Sequence, residues 1–87
     1  MKIEFDPAKS QGNLKKHGVS FEEASSCLLD ARAIVREDPD ATDEQRFVAL
    51  GMSHLGHLRV VVYSLRGEAV RLISARKPTK TEIKSYA

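Results

Sequence analysis

Between Leu58 and Lys77 the chain reads LRVVVYSLRGEAVRLISARK, two runs of branched and bulky residues joined by a glycine-containing turn. Side chains of this kind suit pleated, half-buried backbone, so Leu58–Ser64 and Glu68–Ala75 are expected to pair as a β-hairpin around Leu65-Arg66-Gly67. Gly67 supplies the positive φ that a short hairpin connection needs. Pro78 has no backbone donor, so the second strand must stop after Arg76-Lys77. Val60–Val62 and Val70–Ile73 are nearly continuous apolar segments, which predicts a hairpin in the sheet interior, buried on both faces. Yet the same hairpin carries Arg59, Arg66, Arg71, Arg76 and Lys77. A strand that is both core and cationic implies a sheet face turned toward something anionic.

The charge distribution sharpens that inference. The net charge of +2 hides six Lys/Arg against ten Asp/Glu in residues 1–45, and eight against two in residues 46–87. A basic half attracts phosphate-rich partners, because clustered cations concentrate polyanions and release their counterions. The bland reading of the same residues is a solvated charged surface. The 87 residues suffice for one domain with a single core, expected to span residues 1–87. No apolar run approaches the roughly 20 residues of a membrane helix. The N-terminal Met1-Lys2-Ile3-Glu4-Phe5-Asp6 has no hydrophobic signal region, so a cytoplasmic location is expected. The single cysteine, Cys27, has no internal partner and reads as a small buried hydrophobe.

Helices precede the sheet. Lys2–Phe5 alternates and predicts a short first strand. Asp6-Pro7 is a helix entry, Asp as N-cap and Pro at the first position. The helix Pro7–His17 should end at Gly18, with Lys15, Lys16 and His17 against its negative end. Its apolar face is thin, only Ala8 and Leu14, so tertiary contacts must hold it. Ser20 and Glu23 predict a capping box for a second helix, Phe21–Leu29, burying Phe21, Ala24 and Leu28. Arg32–Arg36 is expected to be a strand, Glu37–Glu44 an acidic exposed loop around Pro39, and Arg46–Met52 a strand followed by a turn at Ser53–His57. Thr79 and Glu82 form a second capping box opening a short helix through Tyr86. The order is β-α-α-β-β-β-β-α, an α+β domain with a mostly antiparallel sheet, since its connections are too short for helical crossovers. Two helices should cover one face, leaving the other face, or its edge beside the last helix, to present the basic residues.

Few patterns carry recognisable chemistry. His54-x-x-His57 falls in a turn with no third ligand nearby, so no metal site is expected. The glycines do not form a phosphate loop, and no nucleophile–base spacing is readable. His17 is either a helix C-cap cation or a proton donor beside a phosphate. What remains is Arg46, Arg71, Arg76, Lys77, Lys80 and Tyr86. Arginine can stabilise the added negative charge of a pentacovalent phosphate, while lysine, histidine or tyrosine moves protons. Alternation puts Arg71 and Arg76 on opposite faces unless a bulge or the strand end intervenes.

Several segments taken together resemble the BrnT family of bacterial toxins. They are Phe5-Asp6-Pro7-Ala8-Lys9 with Asn13, Lys16-His17-Gly18-Val19-Ser20-Phe21-Glu22-Glu23-Ala24, and Glu44-x-Arg46-Phe47 with Gly51. Leu58-x-Val60-Val61-Val62 follows, then Arg71-x-Ile73-Ser74-Ala75-Arg76 with Glu82 and Tyr86. Phe5 departs from the pattern, which would have Trp before the Asp. The resemblance implies a compact RelE-like fold and a metal-independent ribonuclease that arrests translation. It also implies neutralisation by a BrnA-type ribbon-helix-helix antitoxin, operator DNA being met only through that complex. On that reading Arg46 and Arg76 would stabilise the phosphorane and Arg71 would support them. Lys16, His17 and Tyr86 would be candidates for proton transfer, with Lys77 and Lys80 binding the substrate and no cofactor or metal required. A non-catalytic module that binds RNA or a protein partner is the alternative.

Overall fold

Leu58–Arg66 (β4) and Ala69–Arg76 (β5) form the expected hairpin, closed by Gly67-Glu68 with Arg66 opposite Ala69. The turn is tighter than Leu65-Arg66-Gly67. Gly67, at φ 61, takes the first central position of a two-residue connection that requires a positive φ there, so the strands run on to Arg66 and from Ala69. The computed structural model describes residues 2–42 and 44–86; Asp43, in the expected acidic loop, lies outside the described residues. The remaining elements are β1 (Lys2–Glu4), α1 (Pro7–His17), α2 (Phe21–Cys27), β2 (Ile34–Glu37), β3 (Arg46–Met52) and α3 (Lys80–Ser85). This is the predicted α+β order. The sheet runs β1-β5-β4-β3-β2, so the hairpin is interior. Its pairings are antiparallel except β1 with β5, a parallel pair formed by the first and last strands of the chain.

One face of the sheet meets α1 and α2. Val61, Val70, Leu72 and Ala75 pack there against Val19, Phe21, Ala24 and Cys27, and Phe5 meets Phe21 edge-on at 5.5 Å. Val60 and Val61 point to opposite faces and are 1% and 0% exposed, which makes β4 a strand buried from both sides. Gly51 lets α2 approach β3 closely: a Cβ there would stand 2.5 Å from the Cys27 carbonyl oxygen.

Helix α1 is held by tertiary contacts, as its thin apolar face requires, but not through Ala8 and Leu14. Both are exposed, and the buried positions are Ser10 and Asn13. The Asn13 amide donates to the Ala75 carbonyl at 2.8 Å and accepts from the Ala75 N–H at 3.1 Å, the two bonds a neighbouring strand would make. It donates also to the Val19 carbonyl at 2.8 Å, and the Ser10 hydroxyl accepts from the Phe21 N–H. Beyond the end of the three-residue β1, then, a side-chain amide completes the edge of β5.

Helix α2 ends at Cys27, two residues short of Leu29, in overlapping turn bonds from Leu28, Leu29 and Asp30. Its capping box is half made. Ser20 accepts from the Glu23 N–H, but the Glu23 carboxylate turns inward, accepting from the Ser53 hydroxyl at 2.7 Å and meeting His57 and Arg59. Burial alone would raise the Glu23 pKa; the Ser53 and His57 hydrogen bonds and the Arg59 charge outweigh it and hold the carboxyl below its ordinary value. Cys27 is buried, and burial first of all pushes its thiol up to about 11. Strand β2 begins at Ile34 rather than Arg32, because Arg32 and Ala33 turn over the Asp30 carboxylate and carbonyl.

Val61→Asp should bury an unpaired charge among Val19, Phe21 and Ala75 and abolish cooperative thermal unfolding; an unchanged melting temperature would refute the interior hairpin. Asn13→Ala leaves the Ala75 backbone without partners and should cost about 1–3 kcal/mol in denaturant unfolding, with the secondary structure retained.

Candidate active site

The face of the sheet opposite α1 and α2 is built by register. Arg46 lies opposite Ser64, and Ser64 opposite Arg71. One strand-repeat along, Arg36, Val48, Val62 and Ser74 form a second row, and Ile34, Leu50, Val60 and Arg76 a third. Arg71 and Arg76 share this face although five positions separate them. Val62 pairs with Ser74 and Tyr63 with Leu72, so Ile73 is an extra residue, a bulge that reverses the alternation. Three of the predicted arginines are thereby brought together with Arg36, which sequence reasoning missed. Arg46 and Arg71 sit two strands apart, about 10 Å, and Arg76 is about 13 Å along the strands from their row.

The three arginines differ in what they touch. Arg71 meets Glu4 loosely, at 3.7 Å. Arg46 makes no ion pair among the described residues, and its Nε is buried without a partner, as is the Ser64 hydroxyl beside it. Arg76 is engaged. Its Nη1 and Nη2 donate to the two carboxylate oxygens of Glu82 at 2.8 and 2.9 Å. The Thr79–Glu82 capping box is complete, so Glu82 Oε1 also accepts from the Thr79 N–H at 2.7 Å.

The other expected residues lie outside these three rows. Lys16 and His17 end α1, where Gly18 caps the helix at φ 73 and the Lys77 side chain passes 3.8 Å from where a Gly18 Cβ would stand. Three lysines, Lys15, Lys16 and Lys77, thus gather with His17 at the negative end of α1, beside the end of β5. Lys80 is exposed at the start of α3. Tyr86 caps the other end and donates its hydroxyl to Asp30, which also accepts from the Met52 N–H. Met52 and Arg46 are the two ends of β3, about 20 Å apart, so Tyr86 is remote from the Arg46 row. Among the described residues, no group of three or more His, Cys, Asp or Glu is arranged to hold a metal ion, and no helix is long and apolar enough to cross a membrane.

Residues 5–82 match the family model described as ribonuclease toxin, BrnT, of type II toxin-antitoxin system. The chain belongs to this BrnT family. Among solved structures it is similar to the Brucella abortus ribonuclease toxin BrnT, known from a 1.1 Å crystal structure, at 30% identity and a TM-score of 0.68. The similarity covers 92% of this chain and 99% of that one, and carries the same α+β architecture. No curated protein sequence matches the chain. Membership in a type II toxin–antitoxin family brings with it an antitoxin partner and an RNA substrate.

In this BrnT chain the hydrogen bonds from Arg76 are the main cause holding the Glu82 carboxyl at about 2, from an ordinary 4.5, and Glu82 in turn keeps Arg76 more firmly protonated than usual. A carboxylate whose pKa is lowered by folding stabilises the structure above its unfolded pKa and loses that contribution as pH falls through the folded one. The Arg76–Glu82 clasp is accordingly complete above about pH 4.5 and released toward pH 2. Protection factors for the Ile83 and Tyr86 amides, measured by hydrogen exchange, should drop across that window. Glu82→Gln should lack the drop and show low protection at neutral pH.

Proposed function

We propose that this chain, as one toxin domain, is a metal-independent endoribonuclease that arrests translation in the cytoplasm by cutting RNA. The observation that carries the reading is the Ile73 bulge, through which Arg46, Arg71 and Arg76 share one open sheet face around Ser64 and Ser74. In the reaction the ribose 2′-oxygen attacks the adjacent phosphorus, the bond from phosphorus to the 5′-oxygen breaks, and a 2′,3′-cyclic phosphate and a 5′-hydroxyl result. The 2′-hydroxyl proton is removed and the 5′-oxygen gains one. Arg46 and Arg76 stabilise the phosphorane, and Arg71 positions the strand across the face. A guanidinium fork fits two phosphate oxygens at once, which a lysine point charge does not. Lys16 and His17, at the end of α1, and Tyr86, whose hydroxyl is bound to Asp30 at the Met52 end of β3, are the candidates for moving the protons. Lys77 and Lys80 extend the basic track for flanking phosphates.

The cognate partner is a BrnA-like ribbon-helix-helix antitoxin that covers the arginine face, and operator DNA is met only through that complex. Arg46→Ala and Arg76→Lys should fold normally and lose roughly 100-fold to 1,000-fold in RNA cleavage, the usual loss on removing one contact that stabilises developing charge. Purified protein, single-stranded RNA and mass analysis of the cyclic phosphate ends make the test. RNA bound but not cut would replace the enzyme by a non-catalytic binding module. Folded variants cutting at the parental rate would remove these arginines from the site.

A further inference from the structure

The third arginine of the face is occupied, and its occupant belongs to the chain itself. Glu82 meets Arg76 with the two-pronged geometry that a phosphate would use, at 2.8 and 2.9 Å. The helix that delivers Glu82 is weakly attached. α3 has six residues, none of them buried, and Ile83 is 52% exposed. Helices shorter than about 12–15 residues are marginal in water without packing, so α3 depends on its ties to the body. Among the described residues its polar ties are the Arg76–Glu82 pair and the Tyr86–Asp30 bond. Between α3 and the sheet lies an open cleft floored by Ile34, Val48, Leu50 and Val60, with Arg36 at one side and Glu82 and Ser85 above. The helix bridges this floor without filling it.

We infer that Glu82 is a built-in stand-in for an RNA phosphate, and that α3 is a strap which RNA displaces to gain Arg76 and the cleft beneath. The inference rests on the ribonuclease reading for the identity of the ligand, but its geometry is independent of cleavage. The exchange replaces one carboxylate by one phosphate at Arg76, so that step alone is nearly balanced. The nucleic acid tips it through simultaneous contacts at Arg46 and Arg71 and through counterion release, which a lone phosphate or a short anion cannot provide. The strap therefore keeps the fork from small anions and admits a polyanion. Held shut, it leaves the free protein with one arginine fewer for the phosphorane.

The test uses a single-stranded 2′-deoxy oligonucleotide, which binds but has no 2′-hydroxyl to cut. Glu82→Gln removes one ionic competitor and should bind this probe about tenfold tighter, the change expected of one charge-assisted hydrogen bond. The plot of log affinity against log salt should steepen by about 0.7, one phosphate contact to a single strand. Unchanged or weaker binding by a folded Glu82→Gln protein overturns the proposal. A second measurement needs no variant: on saturation with the oligonucleotide, hydrogen exchange at Ile83 and Tyr86 should speed up if α3 leaves the sheet. Slower or unchanged exchange overturns the strap, as does release of α3 by the antitoxin alone and never by oligonucleotide. The two readings fail separately. Tighter binding by Glu82→Gln with no RNA cleavage by the parental protein keeps the strap and removes the ribonuclease. Cleavage without any effect of Glu82→Gln on binding does the reverse.

Discussion

A single unpaired residue in the central hairpin fixes the sidedness of the molecule. Ile73 has no partner in β4, and the one-residue shift it introduces turns Arg71 to the same side as Arg76. Without it, Arg71 would point into the layer where Leu72 and Val70 meet Phe21 and Val19, and a guanidinium there would face a severe desolvation cost. The shift thus serves both layers together. It keeps Val70, Leu72 and Ala75 on the apolar side and collects the positive charge on the other. Charge and core are separated by register, not by segregating them into different parts of the chain.

The apolar side is also where polar groups do unexpected structural work. Asn13 gives β5 the pair of hydrogen bonds that β1 is too short to supply, and Ser10 satisfies the first backbone donor of α2. Buried donors and acceptors left open at a sheet edge would each cost as much as a lost hydrogen bond. Helix α1 is accordingly a polar clamp whose apolar side chains, Ala8 and Leu14, face solvent. Glu23 is used in the same way, leaving its helix cap to bind Ser53, His57 and Arg59 across the β3–β4 turn. Both residues tie segments distant in sequence, and both do so through hydrogen bonds rather than area.

Much of the architecture was legible because it follows from local rules. Branched residues, Gly67, Pro78 and the Asp6-Pro7 and Thr79–Glu82 signals located the hairpin and the ends of α1 and α3 before any contact was known. What was not legible depends on which residues become neighbours. Nothing in the spacing of Asn13 says that it completes β5, and Glu23 reads as a capping residue until Ser53 and His57 are beside it. The arginine face was half visible: its charge could be counted, but its membership hangs on the bulge and on the pairing of Arg46 with Ser64 and of Arg36 with Val48. Tyr86 shows the opposite case, a residue grouped with Arg46 by sequence whose hydroxyl the path of α3 carries to Asp30, at the Met52 end of β3 and about 20 Å along the strand from Arg46.

A half-buried arginine cluster carries a cost of its own. Like charges about 10–16 Å apart on one face repel, and a protein with a bare polycationic groove binds any polyanion it meets. The fold answers this repulsion unevenly. Glu82 neutralises Arg76 closely, Glu4 reaches Arg71 at 3.7 Å, and Arg46 is left with a buried Nε and the unpartnered Ser64 hydroxyl beside it. Two unpartnered buried polar atoms on adjacent strands are costly unless some occupant repays them. The gradient of internal compensation therefore runs from Arg76, nearly satisfied, to Arg46, least satisfied, and on the proposed ribonuclease reading an incoming phosphate gains most at Arg46. Binding that begins there and spreads toward Arg76 meets the clasp last, when the contacts already made can offset its release.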